Sequence, residues 1–221
     1  MTLPSPTAGA WLAFVVASAL FIQVPGPSLL FTIGRALTVG RRDALLSVVG
    51  NALGILVQIV LIALGLGAVV AASATAYGVI KLVGAAYVVW LGVQSIRHRA
   101  DARAALVALE SGAIHPKEVR TSALRSLRIG VLVGLTNPKT LVFFVAFLPH
   151  FVNDAAGYAG VQVVLLGLVF CAMAVVSDGL WAVAASKARD WFARRPERLD
   201  TLGVAGGTMM IGLGVTMAAV E

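Results

Sequence analysis

Long stretches without a single charge constrain this chain more than any other feature. Residues 1–34 and 44–80 contain no Lys, Arg, Asp or Glu, and residues 201–220 form an apolar tail. Each is long enough for a membrane-spanning helix, which needs about 20 apolar residues. The whole chain of 221 residues is 59% hydrophobic and 12% charged, with mean hydropathy +0.94. Soluble domains carry about 25% charged residues, and a globule of this size could not bury so much apolar surface. The sequence therefore predicts an all-α integral membrane protein. The start of the chain lacks the basic segment of a signal peptide, and its first apolar stretch is too long for one, so it reads as a retained span.

Six transmembrane helices fit the pattern, over residues 10–34, 44–70, 77–96, 129–148, 160–186 and 201–220, with a tight turn at 71–75. Segment 97–128 reads as a basic cytoplasmic loop between two three-helix units, 1–96 and 129–221. Fifteen of the 17 Lys and Arg residues fall between spans 1 and 2, 3 and 4, or 5 and 6. None lies at either end of the chain, in the 2–3 turn or in the 4–5 loop. Positive loops stay cytoplasmic, so both termini are expected outside. This topological use of the +7 net charge leaves no reason to invoke nucleic acid. The four tryptophans sit near span ends, as interfacial anchors do.

Two prolines interrupt these apolar runs. Pro25-Gly26-Pro27 falls in span 1 and Asn137-Pro138-Lys139 in span 4, with Pro27 and Pro138 separated by 111 residues. Proline removes a helix donor and clashes with the preceding turn, so both helices should be broken. Asp43 and Asp154 share the 111-residue offset, each before a new span, while Gly84 and Leu91-Gly92-Val93 match Gly206 and Leu213-Gly214-Val215 at 122. Three spans per half is an odd number, so the pattern predicts a 3+3 inverted repeat with broken helices 1 and 4. In such transporters, substrate binds at broken helices near the bilayer midplane.

The remaining polar residues inside spans are few. Lys139 lies about 15 Å into span 4 at 1.5 Å per residue, too deep to snorkel easily. It is either a site for a substrate carboxylate, half of a switching ion pair, or a structural cap at the proline break. Asp178 is the acidic residue within a span interior. Binding a substrate ammonium, coupling to protons, and pairing with Lys139 are all open to it. Gln23, Asn51 and Gln58 are candidates to line a path, or else interhelical hydrogen bonders. Lys81 lies one turn from a span end, where snorkelling explains it equally well. Asp43 and Asp154 form a candidate symmetric gate, and Asp43 also suits a helix N-terminus. The pairs Gly50/Gly54, Gly130/Gly134 and Gly203/Gly207 have helix-packing spacing. Substrate charge recognition is expected at Asn137, Pro138 and Lys139, with backbone and hinge roles at Pro25, Gly26 and Pro27.

Gln23-Val24-Pro25-Gly26-Pro27, Gly84-Ala85-Ala86-Tyr87 with Trp90-Leu91-Gly92, and Thr136-Asn137-Pro138-Lys139 with Phe147-Leu148-Pro149 together resemble the lysine exporter family (LysE/RhtB translocators). The likeness covers nearly the whole chain in order and spacing. It implies export of amino acids or their derivatives across the bacterial inner membrane, driven by the proton motive force. By position it carries Pro25, Gly26, Pro27, Asn137, Pro138 and Lys139 onto the family motifs, and Asp178 onto an acidic position in the fifth span.

The expected function is thus a secondary exporter working by alternating access, with an amino acid, protons and the lipid bilayer as partners and a homo-oligomer left open. No metal, cofactor or enzyme signature is present. A thiol-redox electron conductor would need a cysteine in each half, and Cys171 stands alone. A membrane scaffold would gain little from burying Lys139 and Asp178.

Overall fold

The computed structural model describes residues 5–72, 74–111 and 122–219. Ten α-helices run through them: α1 (Ala8–Gln23), α2 (Pro27–Thr38), α3 (Arg41–Ala72), α4 (Ala74–Arg97), α5 (Asp101–Glu110), α6 (Ala123–Leu135), α7 (Pro138–Phe147), α8 (Ala159–Lys187), α9 (Arg189–Arg194) and α10 (Glu197–Ala219). Short 3-10 turns at Leu148–Phe151 and Asp154–Ala156 lead into α8. Ser73, inside the expected 71–75 turn, lies outside the described residues, as do 112–121 of the basic segment.

Three helices are long and apolar enough to cross a membrane: Arg41–Gly65, Ala159–Lys187 and Glu197–Thr216. Two bent pairs pass the same test, α1 with α2 at 51° and α6 with α7 at 45°, giving up to five spans among the described residues. The chain is therefore a multi-pass helical membrane protein. Many large apolar side chains point outward, including Leu12, Leu64 and Leu180, as expected where lipid replaces water.

Both bends occur where sequence dictates. Pro25 forces Val24 into an extended conformation (φ −64, ψ 113), which ends α1. Pro27 then opens α2 at its first position, where its missing N–H costs nothing. Asn137 is likewise extended before Pro138, and its side chain accepts the backbone N–H of Lys139 at 3.0 Å, a standard N-cap. Gly40, with φ +94, makes the turn between α2 and α3, a conformation glycine adopts without strain.

Segment 97–128 has more structure than a loop. α5 lies within it, and Leu106 of that helix is fully buried with Leu29, Leu37 and Phe192. The helix is missed in sequence because ten residues are too few for a span and the segment's basic charge reads as a loop.

The glycine pairs mark backbone contacts. A Cβ on Gly50 or Gly54 of α3 would sit 2.1 or 2.2 Å from the Leu127 or Val131 carbonyl of α6. In return, a Cβ on Gly130 or Gly134 would sit 2.1 or 2.0 Å from the Ser47 or Asn51 carbonyl. Four glycines thus let α3 and α6 touch along two turns, the close approach by which membrane helices associate. α4 and α10 meet similarly: Gly92 and Gly207 would each place a Cβ 2.5 Å from the other's carbonyl, and the Ser95 hydroxyl donates to the Gly203 carbonyl at 3.0 Å.

Candidate functional site

A helix C-terminus leaves its last carbonyls unsatisfied, and inside a membrane something must meet them. At the end of α1 that group is Lys139. Its Nζ donates to the Phe21 carbonyl at 2.8 Å and to the Val24 carbonyl at 2.6 Å. It also stands 4.3 Å from the centroid of the Phe21 ring, within cation–π range. Lys139 is 5% exposed. The charge carried in sequence by the second break is therefore delivered to the first. Gly26 makes this possible, because a Cβ there would lie 2.7 Å from Lys139 Cδ.

The end of α6 is met differently. Gln58 of α3 donates to the Leu135 carbonyl at 2.7 Å and to the Asn137 carbonyl at 3.1 Å. The Thr140 hydroxyl donates to Gln58 Oε1 at 2.9 Å, fixing the amide. Ser28 ties the breaks together: Asn137 Nδ2 donates to its Oγ at 2.6 Å, and that hydroxyl donates to Asn51 Oδ1 at 3.1 Å. Pro25, Gly26, Pro27, Asn51, Gln58, Asn137, Pro138 and Lys139 thus converge on one region.

Asp178 joins them from α8. It is 5% exposed and lines the same cavity as Lys139, Gly26, Ser28, Asn51 and Asn137. Among the described residues no N–O contact within 4 Å joins Lys139 and Asp178; the ion pairs there are Arg103–Asp200 and Arg189–Glu110. The cavity measures about 30 Å³, room for a water or two and far too little for an amino acid. Phe21 and Phe170 line it, and Phe143 and Phe144 pack behind them in stacked, tilted and edge-on pairs. Gln23 sits at the edge, where it donates to Ser177 and accepts from Trp181 Nε1, each at 3.2 Å. Cys171 is buried, its thiol on the Ala52 carbonyl at 3.5 Å.

Asp43 belongs to a second buried group. Ser126 of α6 donates to its carboxylate at 3.2 Å, and Arg35 of α2 donates to Ser126 at 2.9 Å and to Ser47 at 3.2 Å. Ser47 also donates to the Asp43 and Ser126 carbonyls. This links α2, α3 and α6 at one end of the molecule. For Lys81, on α4, and Asp154, at the start of a 3-10 turn, the structure describes the backbone alone. Sequence reasoning missed Ser28, Thr140, Arg35, Ser47 and Ser126. Ser28 had a usable signal, since it stands 111 residues before Lys139 and so occupies the matching place after the first proline.

A multi-pass membrane protein with two broken helices closing on a buried Lys–Asp cavity has the build of a small-solute translocator. The chain belongs to the LysE type translocator family, whose model matches residues 19–220. It is 35% identical to a membrane protein of Vibrio cholerae, covering 96% of this chain and 97% of that one. It is 29% identical to the homoserine/homoserine lactone efflux protein of Salmonella typhimurium, covering 95% and 96% of the two chains. It is 24% identical to the leucine efflux protein of Klebsiella pneumoniae, covering 96% and 95%. No solved structure matches the chain.

Proposed function

We propose that this protein is a secondary exporter of amino acids or amino-acid derivatives in the bacterial inner membrane. In this reading it is driven by the proton motive force and works by alternating access. The observation that carries the reading is the Lys139 ammonium held between two broken helices, in a small cavity that Asp178 also lines. A buried pair of opposite charges is costly. Charges in a transporter core are retained because they bind or couple. The efflux activities named for the Salmonella and Klebsiella relatives support the same conclusion.

Residues 1–96 and 129–221 act as the two halves of an inverted repeat, joined by the cytoplasmic segment 97–128. Contacts between equivalent helices of the two halves, α3 with α8 and α4 with α10, support this. With about 30 Å³ of space, cargo enters only when the halves separate. The Arg35–Asp43–Ser47–Ser126 group closes the cytoplasmic side, and both termini face outward, in line with the basic loops. Asp178 is the proton-coupling residue.

The test is a growth-inhibition screen of amino acids and analogues with and without overexpression, followed by uptake into inside-out vesicles under an imposed proton gradient. Gradient-dependent uptake of at least one amino acid is expected. Uptake indifferent to the gradient would remove the proton coupling, and no uptake of any candidate would remove the export reading.

A further inference from the structure

We infer that the first helix break is a binding site for a primary ammonium, occupied in the observed state by the protein's own Lys139. This rests on the export reading and adds to it what the site recognises. The site has three parts. The Phe21 and Val24 carbonyls lie 2.8 and 2.6 Å from Nζ, at the negative end of α1. The Phe21 ring presents its face at 4.3 Å. Asp178 lines the same cavity and places a carboxyl group there without a direct bond to the ammonium.

Nothing in that set is specific to a lysine side chain. The two carbonyls and the ring face bind any primary ammonium that reaches them. Lys139 is tethered at the second position of α7, on the far side of the break, and its long flexible stem lets it leave without unfolding a helix. An arriving amino group therefore exchanges for the Lys139 ammonium, cation for cation, and the two carbonyls stay satisfied throughout. The displaced Lys139 is then free to meet the carboxylate of the same molecule. Lys139 and Asp178 together carry no net charge, so a zwitterion adds none to the buried site. A cargo with net charge adds an uncompensated one, which is expensive in low dielectric. The cargo class is thus a neutral, zwitterionic amino acid with a free amino group.

The test is binding, measured on the purified full-length protein in detergent with n-butylammonium as probe. Lys139→Met empties the site while keeping an apolar stem. Saturating n-butylammonium should raise the unfolding midpoint of this variant by about 2–4 °C, with little change in wild type, where the tethered ammonium competes. n-Butanol at equal concentration should shift neither, and adding Asp178→Asn to Lys139→Met should reduce the shift. No shift in Lys139→Met, or the same shift in wild type, would overturn the inference. Should Lys139→Met fail to survive extraction, Lys139→Ala is solubilised with n-butylammonium or n-butanol throughout. Greater monodisperse yield with the ammonium supports the site, and equal yield overturns it. Gradient-driven uptake by wild type with no n-butylammonium effect would leave export standing and remove only this site.

Discussion

At the first break the freed carbonyls are held by an ammonium from 115 and 118 residues further along the chain. At the second they are held by the neutral amide of Gln58, itself fixed by Thr140. The helices that follow differ in the same sense. Asn137 caps α7 with its own side chain, whereas Gly26 gives α2 no side-chain cap. The second break is satisfied by neutral groups that have no reason to move. The first depends on a mobile charge supplied across the interface. Two prolines that look equivalent in sequence thus yield one fixed joint and one exchangeable site.

Replacing Lys139 is the largest blow to this asymmetry. Lys139→Ala leaves the Phe21 and Val24 carbonyls buried and unmet and leaves Asp178 without its counter-charge. Export should fall by ~100-fold or more, with insertion into the membrane retained. Asp178→Asn should match it in vesicle uptake, because it removes the other charge while keeping the side chain's shape. Near-normal transport by either variant, loaded with a verified cargo, would take that residue out of the mechanism.

Next comes Gly26→Ala. Its new Cβ meets Lys139 Cδ at 2.7 Å, and only the lysine stem can yield. The ammonium shifts off its carbonyls and leaves them unmet, so export should drop about 10-fold and stability should fall by about 1–3 kcal/mol. The matching change at the second break should share the stability loss and spare the handling of cargo. Gln58→Leu strips the Leu135 and Asn137 carbonyls of their donor and should lower stability by about 1–3 kcal/mol, with the apparent affinity for cargo unchanged. A rise in KM in Gln58→Leu would show that the second break also handles cargo.

Much of this layout was legible in the sequence, and the reasons are local. Proline geometry acts on its immediate neighbours, so both breaks appear where Pro25, Pro27 and Pro138 require them. The cost of burying charge singled out Lys139 and Asp178, which do share a cavity. What was not legible is what those groups touch. That Lys139 caps α1 and not its own break depends on how α7 lies against α1, and on Gly26 leaving room. The Gly50/Gly54 and Gly130/Gly134 spacings were visible, but spacing alone does not say which helix a glycine faces. Asp43 stood out in sequence, but its partners Arg35, Ser47 and Ser126 did not, because serines are common in loops and spans alike and Arg35 counts as one more basic loop residue. α5 escaped notice because a ten-residue helix is too short to read as a span and the basic residues around it read as a loop.

The smallest expected effect tests where the exchangeable site ends. Gln23 lies in the chain between Lys139's carbonyl partners, Phe21 and Val24, and joins α1 to α8 through Ser177 and Trp181, at 3.2 Å each. Both bonds lie near the surface, and neither reaches the cavity or the ammonium. Interhelical hydrogen bonds in membranes average about 0.6 kcal/mol each, so Gln23→Ala, which removes two, should cost about 1 kcal/mol of stability and leave uptake and cargo preference nearly unchanged. A fall in uptake as deep as that of Gly26→Ala would mean that the end of α1 and α8 move as one body during exchange. The site would then extend from the carbonyls out to Trp181, and the boundary between the mobile break and its fixed counterpart would have to be drawn through α8.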